Sequence, residues 1–82
     1  MTEESSDASA GAVPEGRYAN YFEIGHNAFE FLLDFGQFYD EDGPPRRHTR
    51  IVTGPTYAKR LFETLGEAIS RYEADFGAIR VE

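Results

Sequence analysis

The stretch Tyr18-Ala-Asn-Tyr-Phe-Glu-Ile-Gly-His-Asn-Ala-Phe-Glu-Phe-Leu-Leu-Asp-Phe-Gly-Gln-Phe38 decides the fold. It alternates large apolar and polar side chains on either side of a short break, His26-Asn27-Ala28. Alternation of this kind is the mark of a strand with one covered face, and two such runs around a short link form a hairpin. Strand one is expected from Arg17 to Gly25 and strand two from Phe29 to Phe38. A symmetric loop sets Ile24 opposite Phe31 and Phe22 opposite Leu33. One face then collects Tyr18, Phe22, Ile24, Phe29, Phe31, Leu33 and Phe35. A slip by one residue would scatter that set over both faces.

The other face mixes Arg17, Glu23, Glu30 and Asp34 with Tyr21, Leu32 and Phe38. Three large apolar groups on a nominally solvated face mark a surface that something else covers. Tyr21, Leu32 and Phe38, joined by Val52 from the next strand, are the candidate interface.

Outward from this hairpin, Asp40 to Arg47 reads as a loop, because Gly43, Pro44 and Pro45 interrupt regular structure. A third strand is expected from His48 to Thr53, with Ile51 on the aromatic face, Val52 on the other and Arg50 beside Asp34. Gly54 and Pro55 then open a helix as N-cap and first residue. Ala58, Leu61, Phe62, Leu65, Ala68, Ile69, Tyr72 and Phe76 form one stripe at helical spacing. Lys59, Glu63, Glu67, Arg71 and Asp75 line the opposite side, and Gly77 supplies the stop. Ile79 and Val81 alternate with polar residues and suggest a short last strand. The expected architecture is α+β: a three-stranded antiparallel meander followed by one long amphipathic helix, β-β-β-α, with the helix packed on the aromatic face.

Residues 1–16 offer almost no large side chain to bury and read as a disordered acidic tail. Residues 17–82 make the single domain. With 82 residues and no Cys, a small core has neither disulfides nor thiolate metal sites to support it. Oligomerisation, as a dimer or larger, is the expected source of extra stability. The net charge of -7 disfavours unaided nucleic-acid binding, which needs a basic face. The chain lacks a signal-peptide pattern and a membrane-spanning run, so a cytoplasmic location is expected.

Several pieces of this chain resemble one family. They are Tyr18-Ala-Asn-Tyr-Phe, His26-Asn-Ala-Phe-Glu-Phe-Leu-Leu-Asp-Phe-Gly, Arg50-Ile-Val-Thr-Gly-Pro-Thr-Tyr-Ala-Lys-Arg-Leu and Arg71-Tyr-Glu-Ala-Asp-Phe-Gly-Ala-Ile. In this order and spacing, from Arg17 to Val81, they resemble a bacterial family catalogued as DUF3467, a domain of unknown function. Where members often carry Ser before the helix proline, this chain has Gly54. The resemblance implies a small stand-alone bacterial protein and brings no catalytic residues.

Candidate chemistry is sparse. His26, near Glu23 and Glu30, could serve as a base or metal ligand, but a turn His packed on Phe29 is the plainer reading. Asp40, Glu41 and Asp42 lack the further ligands of a calcium loop, and Pro44 and Pro45 follow them. Arg46, Arg47, His48 and Arg50 form a basic cluster that could contact phosphate, although the neighbouring acids would pair with it. No catalytic residue, metal site or cofactor is expected. The chain reads as a non-enzymatic, oligomeric protein-interaction module with an unidentified protein partner in view. The first alternative is a SecB-like chaperone or adaptor that binds extended segments. The second is a small ligand-binding or nucleic-acid-associated subunit, with His26, Arg46, Arg47 and Arg50 as weak contact candidates.

Overall fold

A computed structural model describes residues 13–82. Three strands, β1 (Tyr21–His26), β2 (Phe31–Gln37) and β3 (Arg46–Thr53), form one antiparallel sheet in the order β1-β2-β3. One helix, α1 (Pro55–Phe76), follows directly. The β-β-β-α order is the one the residue pattern predicts. The expected tail lies, for residues 1–12, outside the described residues, and residues 13–20 form no strand or helix.

The hairpin register differs from the expected one by two residues. Ile24 pairs with Leu33 and Phe22 with Phe35. The cause is Asn27. Its Oδ1 accepts hydrogen bonds from the amides of Phe29, at 2.7 Å, and Glu30, at 3.0 Å, while its own amide donates to the Glu30 carbonyl. This side-chain-closed turn absorbs residues 27–30 and removes Phe29 from the strand. Because strand side chains repeat every two residues, a two-residue shift leaves each remaining strand residue on its expected face.

The β2–β3 pairing carries a bulge between Phe35 and Gly36, where Phe35 meets Thr49 but Gly36 meets Arg47. A Cβ at Gly36 would collide with the Arg46 carbonyl and stand 3.0 Å from the Arg47 Cα. Only glycine permits this approach. The bulge moves Arg47 onto the side of the sheet that carries Asp34.

The helix begins as expected, with Pro55 at its start and no side-chain cap on Gly54. It ends at Gly77, whose φ of 98° lies in the region glycine favours. The Gly77 amide donates to the Glu73 carbonyl at 2.9 Å. Beyond it, residues 77–82 form no strand, which corrects the expectation for Ile79 and Val81. The Ile79 amide instead donates to the Glu73 carboxylate, so the backbone is tied back to the helix end.

The helix departs from the expected packing. α1 does not cover the aromatic face of its own sheet. None of its residues is buried, and among the described residues the extensive contacts between elements are those of neighbouring strands. Among the described residues the buried hydrophobic core is Leu33 alone.

Candidate interaction surfaces

The two faces of the sheet are built differently. On the aromatic face, Leu33 sits at the centre of the middle strand with Ile24 on one side and Ile51 on the other. Leu33 is 7% exposed, but Ile24 and Ile51 are 56% and 47% exposed. Phe22 meets Phe35 edge to face at 5.8 Å, yet Phe22 also remains exposed. Among the described residues, the neighbouring strands shield only the middle of the patch.

The opposite face is organised by charge. Asp34 is 6% exposed and accepts a two-pronged hydrogen bond from Arg50, at 2.7 Å from Nε and 2.9 Å from an Nη. Arg47 reaches Glu23 at 2.7 Å and Asp34 at 3.5 Å. The Tyr21 hydroxyl donates to Glu23 at 3.1 Å. Paired in this way, a shielded carboxylate escapes the cost of burying a bare charge. The Arg50 hydrogen bond holds the Asp34 carboxyl below its ordinary range, against the opposing effect of its lost water. The same bond raises the Arg50 guanidinium, and the Glu23 hydrogen bond raises the Tyr21 phenol.

This network divides the interface expected from the sequence. Tyr21 and Phe38 meet edge to face at 5.6 Å at one end of the sheet, while Leu32 and Val52 pair across β2 and β3 at the other. Between them lie Glu23, Asp34, Arg47 and Arg50. The four apolar residues therefore make two small patches flanking an ion network.

The candidate ligand contacts do not converge either. Arg47 and Arg50 meet on Asp34. Arg46 stacks over the Tyr39 ring at 5.9 Å, in cation–π range. His26 stacks on Phe31 at 5.4 Å, at the hairpin end, where the residue pattern had pointed to Phe29. Arg47 and Arg50 thus pair across the sheet; the expected pairing with Asp40 to Asp42 is not seen among the described residues. Among the described residues no group of three His, Asp or Glu side chains is placed to hold a metal ion, and no helix is long and apolar enough to cross a membrane.

Residues ahead of β1 contribute contacts the pattern did not reveal. Arg17 donates to the His48 carbonyl at 3.3 Å, and the His48 ring approaches the Tyr18 carbonyl at 3.0 Å. The Asn20 side chain accepts from the Phe38 amide at 2.9 Å. Arg17, Phe35, His48 and Arg50 border an open cleft of about 580 Å³. Its arginine head groups are committed to protein acceptors.

The helix stripe is the second apolar surface. Leu65 and Ile69 at its centre are 55% and 40% exposed, and Tyr72 and Phe76, also exposed, pack on each other at 5.0 Å.

No curated protein and no solved structure matches this chain. One family profile, described as "Protein of unknown function (DUF3467)", matches residues 2–81, so it spans the whole sheet-and-helix unit and both apolar surfaces. The chain belongs to the DUF3467 family.

Proposed function

We propose that this protein is a non-enzymatic, cytoplasmic interaction module that completes its fold by associating with further copies of itself. One observation carries the reading: the aromatic sheet face and the helix stripe are both exposed, and neither covers the other. Apolar side chains gain stability when they leave water, at about 25 cal/mol per Å². A patch the size of this one on a free chain would instead drive indiscriminate association. The net charge of -7 supports a soluble assembly, because like-charged particles resist further aggregation.

The SecB-like alternative shares the same observation. There the apolar face would be offered to extended client segments. Light scattering of the full chain at micromolar concentration, with a hydrophobic dye present, separates the two. Self-association gives a mass of two chains or more and weak dye binding. A strict monomer that binds dye strongly would overturn the self-association reading and favour the client-binding one.

A further inference from the structure

We infer that the aromatic sheet face of one copy is covered by α1 of a second copy, in a reciprocal exchange of helices. This rests on the self-association reading and specifies its geometry.

The junction between sheet and helix supports it. Thr53 ends β3 and Pro55 begins α1, so Gly54 alone joins them. One residue spans at most about 3.6 Å. A helix laid over its own sheet must reverse direction and rise to a second layer about 10 Å away. Gly54 makes no such reversal: its φ of -83° and ψ of 166° are extended. Pro55 reinforces this, because a residue before proline is driven out of the helical region. Pro55 then locks the first helical turn. The chain is directed away from its own sheet, and short connections of this kind favour exchange between copies.

The surfaces match in chemistry. On the sheet, Ile24, Leu33 and Ile51 form one apolar row across the three strands, flanked along β2 by Phe31 and Phe35. On the helix, Leu61, Leu65 and Ile69 form an exposed apolar stripe. A two-fold exchange covers both aromatic sheet faces and both helix stripes at once.

The chain has no Cys, so introduced pairs report without background. In the full chain, Ile51→Cys carried by a tagged copy is mixed, after unfolding and refolding together, with an untagged copy carrying Leu61→Cys, Leu65→Cys or Ile69→Cys. Exchange predicts a disulfide-linked tagged–untagged species, strongest for one of the three helix positions. The double variants of one chain, Ile51→Cys with each helix position, should form two-chain linked products. A second variant avoids dependence on cysteine packing: three glycines inserted after Thr53 should let α1 reach its own sheet and shift the protein toward one-chain mass. Linkage confined within single chains, in a protein that still sediments as a multimer, would overturn the exchange while leaving self-association intact. A one-chain mass for the unmodified protein would overturn both.

Discussion

Asp34 and Leu33 are neighbours in the middle strand, and they face opposite sides of the sheet. Asp34 is shielded by groups from its own chain: Arg50 across the ladder and Arg47 turned toward it by the Gly36 bulge. Leu33 is shielded only by its strand neighbours, Ile24 and Ile51, which stand half in water themselves. The polar face is finished within one chain and the apolar face is not. A charged network can close over a few residues, because each hydrogen bond is local. An apolar layer needs a second element above it, and the Gly54–Pro55 junction sends the available helix elsewhere.

This contrast is most severely tested on the helix. Leu65→Ala and Ile69→Ala change residues that are exposed in the single chain, where substitutions ordinarily stay within about 0.5 kcal/mol. If a second copy covers them, each should cost about 2–5 kcal/mol, as in a packed core. Denaturant unfolding at fixed protein concentration checks this, and near-neutral values would mean that the stripe stays in water.

The polar face is broken at Gly36. Gly36→Ala places a methyl group against the Arg46 backbone and should cost about 1–3 kcal/mol, the usual penalty for overpacking. Thermal unfolding measures the loss. The same change should turn Arg47 away from Glu23 and Asp34, visible as altered chemical shifts of those carboxylates.

Gly66 lies at the margin of the stripe, beside Glu63 and Ser70, and a Cβ there would meet nothing within 4 Å. Gly66→Ala should therefore raise stability by about 1 kcal/mol through helix propensity. A loss instead would show that a neighbour approaches the backbone at this point and would widen the covered surface.

The mildest effect concerns pH. The Asp34 carboxyl titrates lower in the folded protein than in the unfolded chain, where carboxylates titrate near about 3.9. Its contribution is thus complete above that value and is lost as pH falls through the lower, folded one. Stability should decline below about pH 4, and Asp34→Asn should flatten that decline. An unchanged acid limb in the variant would remove Asp34 from the account.

Much of this was legible in the residues. Strand alternation and the helix stripe gave the element order, and parity gave the Arg50–Asp34 pair. The hairpin register was not legible, because it depends on two hydrogen bonds to the Asn27 side chain. The position of Arg47 was not legible either. Uninterrupted alternation would put it opposite Gln37, on the aromatic side, and only the bulge moves it across. The pattern did show that the helix stripe and the aromatic face are complementary. It carried no information on whether they belong to the same copy, since amphipathic spacing is identical in both cases. The distinction lies in the one-residue junction.

The most direct measurement is equilibrium unfolding of the full chain in denaturant over a hundredfold range of protein concentration. If the apolar face is completed by a second copy, folding and association are one transition and the midpoint rises with concentration. A midpoint independent of concentration, with one cooperative transition and a one-chain mass, would contradict the account.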